Sequence, residues 1–269
     1  MNLAVVGHVE WIEFVRVERV PVTGEIVHAQ ETWSEAAGGG AVAAVQLARL
    51  AGSSTLFTAV GDDEPGSRVA EELGRYGVDV HAAVRAGPQR RGFTYVDADG
   101  ERTITVIGER IGPRRSDDLP WDELATMDGV YFVSGDPAAV RAARAAKVLV
   151  ATARSLADLR EARGELDALV RSRNDTSESY RPGDLEPPPR IEVATVGHLG
   201  GSYTVGGGSP THFHAADVPG PVQDAYGAGD SFAAGLTYGL AEGLPVEDAI
   251  ALAARTGASA LTRRGAHGL

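Results

Sequence analysis

Short apolar stretches alternate with helical patterns in the second half of the chain, and no other feature of the sequence restricts the fold as strongly. The apolar stretches at 129–133, 147–151 and 191–196 have the length of buried strands. Helical patterns at 137–146 and 156–171 stand between them. Strands that are joined by helices form mainly parallel sheets with helices on their faces, so this alternation predicts an α/β fold.

Two antiparallel segments interrupt this pattern in the first 110 residues. After an apolar strand at 3–7, the segment 13–33 alternates apolar and polar residues around a turn at 21–24, which is typical of two strands. The segment 92–107 contains two more strands around an Asp-Ala-Asp-Gly turn at 97–100, which is a hairpin signal. We therefore expect an antiparallel excursion and a later hairpin on an α/β body.

The remaining elements follow from the same signals. Helical spacing that ends at glycine or begins near proline marks helices, and short apolar runs between turns mark strands. Helices are predicted at 40–50, 64–76, 231–242 and 246–261, strands at 55–60, 201–205 and 211–215, and a long polar loop at 174–189.

The composition limits what the protein can bind. The chain has 269 residues, of which 43% are hydrophobic, and can bury a full core. It has no cysteine, which excludes disulfides and thiolate chemistry. Its net charge of −12 argues against nucleic acids and anionic membranes as partners. The N-terminus has the pattern of a strand rather than a signal peptide, and no apolar run reaches the length of a membrane span, so we expect a cytoplasmic protein.

A run of small residues directly before an aspartate indicates the chemistry most clearly. In Gly227-Ala228-Gly229-Asp230, bare backbone N–H groups at the start of a helix can cradle an anion such as a phosphoryl group. Asp230 would stand at the mouth of this cradle, where a carboxylate can take the proton of an attacking hydroxyl. The motif indicates phosphoryl transfer to an alcohol, and a helix cap without chemistry is the alternative. The only lysine, Lys147, does not lie in a Gly-Lys-Ser/Thr phosphate-binding loop.

The stretch 224–230, Asp-Ala-Tyr-Gly-Ala-Gly-Asp, resembles the Asp-Thr-x-Gly-Ala-Gly-Asp signature of the ribokinase-like (PfkB) carbohydrate kinases. The resemblance covers essentially the whole chain. It implies one ribokinase-like α/β domain at 1–269, with a mainly parallel central sheet that is flanked by helices. It also implies a small β-sheet lid, inserted at about 13–35 and 92–107.

The same resemblance implies the reaction and its central residues. It assigns the role of general base to Asp230 and an anion hole to the backbone of Gly227, Ala228 and Gly229. The implied donor is ATP, with Mg²⁺ as cofactor, and the implied acceptor is a sugar, a sugar-like molecule or a nucleoside.

Three acidic residues match metal-binding positions of the family. An Asn-x-x-Glu segment orders Mg²⁺ and its waters in the family. Here Asp175 and Glu178 have that spacing and are the preferred match, and Asn174 with one extra residue is the other. A solvated acidic loop is the alternative for this pair. Asp224 matches a residue that helps to bind a monovalent cation. Because the family's threonine is Ala225 here, a turn-stabilising aspartate is an equal alternative.

The nucleotide site is implied by a second motif. Thr195, Gly197 and Gly200 match a Thr-x-Gly-x-x-Gly pattern that lines the nucleotide in the family. A strand that ends in a glycine-rich turn is the structural alternative.

The acceptor site is implied at the start of the chain. Gly38, Gly39 and Gly40 match a glycine turn against which the acceptor sugar lies in the family. Where the family often has an aspartate that holds two sugar hydroxyls, this chain offers Glu10 or Glu13. Family lids often pair across a dimer, so the resemblance also implies a homodimer that forms through the lid.

Two other functions remain open from the sequence. The glycines at 38–40 also fit Gly-x-Gly-x-x-Ala, with Asp62 and Asp63 about twenty residues later, which is the outline of a dinucleotide fingerprint. An NAD(P)-binding oxidoreductase would need a core strand at 33–37, where the sequence is poorly suited to one. A protein with the kinase fold that binds a sugar or nucleotide without turnover is the other alternative.

Overall fold

A nine-stranded sheet forms the body of the molecule, and a separate four-stranded sheet accompanies it. The computed structural model describes residues 1–268. The strands within them are β1 (Leu3–Val6), β2 (Glu10–Arg16), β3 (Glu31–Ala37), β4 (Ser54–Gly61), β5 (Val78–Arg85), β6 (Arg91–Val96), β7 (Arg102–Ile107), β8 (Gly129–Phe132), β9 (Val148–Thr152), β10 (Ala168–Ser172), β11 (Ile191–Thr195), β12 (Gly201–Val205) and β13 (Thr211–Phe213). The α-helices are α1 (Gly38–Ala51), α2 (Glu64–Gly74), α3 (Pro137–Ala143), α4 (Leu156–Ala162), α5 (Ala228–Ala241) and α6 (Val246–Ala260).

The large sheet is mainly parallel, as the sequence predicts. Its strand order is β13-β12-β11-β10-β9-β8-β1-β4-β5. Neighbours from β11 to β5 run parallel, and β12 and β13 add an antiparallel hairpin at one edge. Because parallel strands end at the same edge of a sheet, the loops after β1, β8, β9, β10 and β11 gather on one side of the molecule.

Alternate residues of the strands build two separate cores. In β1, Leu3 and Val5 belong to the core that contains residues of α1, α5 and α6, whereas Ala4 and Val6 belong to the core that contains residues of α3 and α4. Each fully buried valine or leucine contributes about 1.5–3 kcal/mol of transfer free energy. Burial on both faces therefore stabilises the packing of the sheet between two layers of helices. No helix within residues 1–268 is both long enough and apolar enough to span a bilayer.

The small sheet has the order β3-β2-β6-β7 and confirms the predicted β lid. β2 pairs antiparallel with β3 and parallel with β6, and β6 pairs antiparallel with β7. The predicted strands of the 13–33 segment are misplaced, however. Ile26 is 92% exposed in a loop, and β3 begins only at Glu31 and continues to Ala37, directly before the glycine turn.

The predicted helix at 156–171 is wrong in its second half. α4 ends at Ala162, Arg163 adopts a left-handed conformation (φ 53°), and β10 follows at 168–172. The apolar residues keep a helical spacing beyond Gly164, which explains the prediction, but Leu169 is fully buried in the sheet as part of β10. β5 is a further strand that the sequence reasoning missed. Most of its residues are only partly buried, so its apolar pattern is weak.

Candidate active site

Five neighbouring parallel strands bring polar or glycine residues to the same edge of the large sheet. The second residue after the end of each strand lies at this edge: His8 after β1, Ser134 after β8, Arg154 after β9, Asn174 after β10 and Gly197 after β11. Ligands of open α/β sheets bind at this edge, so the topology places the candidate site here.

The start of α5 provides backbone donors at this edge. Gly227 is the N-cap residue with φ 74°, and a Cβ atom there would lie 2.7 Å from Cγ1 of Val42, so the turn requires glycine. The first intrahelical bond runs from the N–H of Ser231 to the carbonyl of Gly227 (2.8 Å), which leaves the preceding N–H groups, those of Ala228, Gly229 and Asp230, without helical partners. Gly229 is exposed to open space.

Asp230 lies in the first turn of α5 and is not its N-cap, so the simple helix-cap interpretation is wrong. Its carboxylate packs against the glycine turn: a Cβ atom on Gly39 would lie 2.9 Å from Oδ1 of Asp230. Burial raises the pKa of Asp230 to about 6, against the opposing charge of Arg154. A carboxylate with this pKa is still mostly ionised at neutral pH and can accept a proton.

Glu10 faces the same turn from the lid side. Its Cγ would lie 3.1 Å from a Cβ atom on Gly38, and its Oε1 lies 2.8 Å from Nε of Arg90 as an ion pair. Nε2 of His8 lies 3.6 Å from Oε1 of Glu10, and Nδ1 of His8 hydrogen-bonds Oγ of Ser134 (3.1 Å). Burial and then the charges of nearby arginines lower the pKa of His8 to about 3, so its ring is neutral.

Hydrogen bonds connect the glycine turn at 38–40 to Tyr226 and to His8. The N–H of Gly38 donates to the hydroxyl of Tyr226 (3.1 Å), and the N–H of Gly40 donates to the carbonyl of His8 (3.1 Å). Glu13, the alternative to Glu10, lies elsewhere: its side chain is half exposed, and its nearest charged partner is Arg91 at 3.8 Å. The structure therefore brings Glu10 and the three glycines together with Asp230, and leaves Glu13 outside.

Asp175 and Glu178 flank a 3₁₀ turn after β10 and share one partner. Nη2 of Arg154 lies 2.5 Å from Asp175, and Nε of Arg154 lies 2.7 Å from Glu178. The second oxygen of Glu178 accepts the N–H of Ser172 (2.5 Å), and a hydrogen bond from Ser177 is the main cause of the lowered pKa of Asp175. The carboxylates suit Mg²⁺, which takes oxygen ligands and keeps several waters, although both are already paired with Arg154.

Asp224, which precedes the turn at the start of α5, is fully buried. Its two oxygens accept the N–H groups of Tyr226 (2.8 Å) and Gly265 (3.2 Å). Burial raises the pKa of Asp224, and the hydrogen bond from Tyr226 opposes that shift. Asp224 therefore stabilises the turn, as one of the two sequence interpretations expected, and its role toward a cation stays a prediction.

The predicted nucleotide segment borders the Asp175 region. Thr195 ends β11, and its hydroxyl donates to the carbonyl of Arg171 (3.4 Å). Gly197 begins a 3₁₀ turn that closes with a bond from the N–H of Gly200 to its carbonyl (3.0 Å), and a Cβ atom on Gly197 would lie 3.8 Å from Nδ2 of Asn174. Gly197 is exposed, whereas Gly200 is buried.

Five polar residues of this site were missed by sequence reasoning: His8, Arg90, Arg110, Ser134 and Arg154. Three of them, His8, Ser134 and Arg154, follow the ends of parallel strands, and this position would have indicated them. Arg90 and Arg110 flank β6 and β7, and a sequence rich in arginine gives no signal for them.

The dinucleotide fingerprint lacks its structural context. A strand, β3, does precede the glycines, but it pairs antiparallel with β2 in the small sheet. A dinucleotide-binding βαβ unit needs that strand parallel to its neighbour in the main sheet, with the helix crossing between them. The geometry therefore does not support an NAD(P) site at 38–40.

The comparisons with known proteins agree with this arrangement. The model of a family described as pfkB family carbohydrate kinase matches residues 1–182 and 193–268. An ATP-dependent ribose-1-phosphate kinase from Halopiger xanaduensis is 30% identical over 280 residues, which cover 97% of this chain and 92% of that protein.

Solved structures share the fold over nearly the full length. A ribokinase from Thermotoga maritima has a TM-score of 0.77 at 19% identity, over 99% of this chain and 95% of the other. The Arabidopsis thaliana ribokinase, complexed with ribose and ATP, has a TM-score of 0.75 at 21% identity, over 98% of this chain and 93% of the other.

Proposed function

The chain belongs to the pfkB family of carbohydrate kinases, and on that premise we propose that Asp230 is the general base of an ATP-dependent sugar kinase. The γ-phosphoryl group of ATP would pass to a hydroxyl of a sugar or sugar-like acceptor. One observation carries this proposal: an ionisable carboxylate stands at a helix start with unpaired backbone donors, in contact with the Gly39 turn.

The chemical roles follow from these groups. Asp230 takes the proton of the acceptor hydroxyl as its oxygen attacks, which is worth about 10²–10⁴ in rate. The N–H groups of the turn at 227–229 stabilise the charge on the transferred phosphoryl oxygens, each by a factor on the order of 10². Glu10 and the Gly38–Gly40 turn would orient the acceptor so that its hydroxyl reaches Asp230.

The donor side is proposed to use the neighbouring strand ends. Thr195, Gly197 and Gly200 would line the nucleotide, and Asp175 and Glu178 would hold Mg²⁺ through its waters. Mg²⁺ neutralises and orients the phosphates when it is bound. Asp224 would support a monovalent cation next to the anion hole.

The relatives suggest which acceptors to assay first. The Arabidopsis structure contains ribose, and the Halopiger relative is named for ribose 1-phosphate. Both are pentoses, so we propose a pentose-type acceptor. We also propose that the enzyme works in the cytoplasm, where ATP is available, and that it forms a homodimer through the lid.

The substitution Asp230→Asn tests the general base. Asn keeps the shape and cannot accept the proton, so turnover should fall by at least about 100-fold while ATP binding persists. Asp248→Asn is the matched control because Asp248 occupies the same position in the first turn of α6 but is exposed. An Asp230→Asn enzyme with nearly unchanged ADP production would remove Asp230 from the mechanism.

A further inference from the structure

We infer that the acceptor carries a phosphate group, which Arg110 binds together with Arg90 and Arg154. This inference rests on the proposed kinase function and specifies its substrate class as a sugar phosphate. It also makes Arg110 the residue that discriminates this acceptor from a neutral sugar.

Arg110 is the least satisfied of these three cations. Arg90 pairs with Glu10, and Arg154 pairs with Asp175 and Glu178. Arg110 makes no ion pair or hydrogen bond with any residue in the 1–268 range, and its side chain is accessible to solvent. Partial burial of Arg110 and the charge of Arg90 lower the pKa of Arg110, but its guanidinium stays protonated at neutral pH.

Arg90 and Arg154 are paired with carboxylates here, whereas Arg110 has no ion pair within residues 1–268. The charges of Arg90, Arg110 and Arg154 all act on His8 and on Glu10. His8 is neutral, and Glu10 is a carboxylate on which all three charges act. Asp158 also acts on Arg110, but no ion pair forms between them. Enclosing this region around a neutral sugar would leave a cation uncompensated, which is unfavourable.

Arg90 and Arg110 lie on the acceptor side, and Arg154 follows β9, between this side and the carboxylates that follow β10. A Cβ atom on Gly108 would lie 3.9 Å from Cα of Arg90, and one on Gly112 would lie 3.7 Å from Oγ of Ser134, so the segment that carries Arg110 passes beside Arg90 and the hydrogen-bond partner of His8.

Glu10, which pairs with Arg90, packs against Gly38, and the next glycine contacts Asp230. The nucleotide segment follows β11, which is separated from β1 by β8, β9 and β10. An anion held by Arg90 and Arg110 is therefore part of the molecule whose hydroxyl meets Asp230.

A phosphate fits these groups better than a carboxylate does. Guanidinium groups bind phosphate oxygens through two parallel hydrogen bonds, and three such groups can surround one phosphate from different sides. The neutral ring of His8 has a nitrogen beside Glu10 that can take part in a further hydrogen bond.

Equilibrium binding without ATP tests the inference directly. Calorimetry would compare ribose, ribose 1-phosphate and ribose 5-phosphate on the wild type, Arg110→Gln and Arg114→Gln. Arg114 is the matched control because it is an exposed arginine of the same segment. At least one ribose phosphate should bind about tenfold or more tightly than ribose, and Arg110→Gln should weaken it by about 10- to 100-fold. The affinity for ribose should stay the same, and Arg114→Gln should change neither.

Initial rates then separate this inference from the proposed function. Arg110→Gln should raise KM for the sugar phosphate and leave KM for ATP unchanged. If the wild type binds ribose as tightly as both ribose phosphates, or if Arg110→Gln weakens ATP instead, the inference is overturned while ADP formation with ribose would keep the kinase proposal. If a ribose phosphate binds through Arg110 but no acceptor yields ADP, the kinase function fails and the phosphate site stands.

Discussion

At the scale of single residues, Asp230 combines accessibility with a raised pKa. Burial is the largest cause, Glu178 and Glu10 add repulsion, and the nearby Arg154 and Arg102 limit the shift to about 6. An aspartate with its ordinary pKa of about 4 would be a weaker base. The carboxylates and guanidiniums around Asp230 therefore set the pKa of the carboxylate that the proposed reaction needs as a base.

The pH dependence of the reaction should report this pKa. A base works only when it is deprotonated, so kcat/KM for the acceptor should be level above about pH 7 and fall roughly tenfold for each pH unit below about 6. Rates at saturating ATP and constant ionic strength would measure it, with circular dichroism to verify folding at each pH. Asp248→Asn should show the same profile, and a break near pH 4 would contradict the shift.

The position of Asp230 at the start of α5 could be predicted from the sequence because its neighbours in the turn are adjacent in the chain. The residues at 227–230 form one turn, so a local motif describes the whole turn. The fold of the lid brings Arg90 into its ion pair with Glu10 and places the segment of Arg110 beside Arg90, so no spacing in the sequence connects these residues. The choice between Glu10 and Glu13 likewise depended on which side of β2 faces the glycine turn.

At the scale of secondary-structure elements, the site is a row of strand ends. The sequence predicted β1, β8, β9 and β11 well, because each is a compact apolar run. It missed β10, which it merged with a helix, and with it the short link that leads to Asp175. Helical and strand periods cannot be distinguished over so few apolar residues, which is why tertiary pairing decided this element.

The link after β10 allows a test of the Mg²⁺ proposal. The double substitution Asp175→Asn and Glu178→Gln should raise the Mg²⁺ concentration for half-maximal rate by about tenfold, because both carboxylates that could order its waters are lost. Titrations of Mg²⁺ at fixed ATP would measure this. The pair Glu161→Gln and Glu165→Gln, at exposed positions, serves as the control.

A second readout distinguishes the two roles of these carboxylates. The charge of Glu178 raises the pKa of Asp230, so its removal should also move the acidic limb of the rate profile to lower pH. If the Mg²⁺ curve is unchanged while this limb moves, Asp175 and Glu178 serve only as ion-pair partners of Arg154.

At the scale of the whole molecule, the C-terminal segment joins the lid to the body. Nε2 of His267 hydrogen-bonds the carbonyl of Ala36 (2.7 Å), and the N–H of Ala266 donates to Glu35 (2.7 Å) in β3. The N–H of Gly265 donates to Asp224, which precedes the turn at the start of α5. Residues 265–267 therefore connect β3 of the lid to the turn that precedes α5.

The outer face of the lid sheet carries apolar surface that the monomer does not cover. Phe93 and Tyr95 in β6 pack edge to face (5.1 Å between ring centroids) and are only partly buried. Thr105 and Thr103 are their partners in β7 and are exposed. On the opposite face, Thr94 in β6 is fully buried, whereas its partner in β7, Ile104, is 39% exposed. A second lid packed on the outer face would cover these rings, in agreement with the proposed homodimer.

The substitution pair Thr103→Lys and Thr105→Lys tests that assembly. Both side chains are exposed in the monomer, so the substitutions should not affect folding. In a two-fold interface through this face, the lysines would be buried without partners in an apolar contact, which destabilises the dimer. Sedimentation velocity should give a dimer for the wild type and a monomer for the variant, with Ser209→Lys, an exposed loop position, as the control. A wild type that sediments as a monomer at micromolar concentration, or a variant that remains a dimer, would place the interface elsewhere and leave the outer lid face without this role.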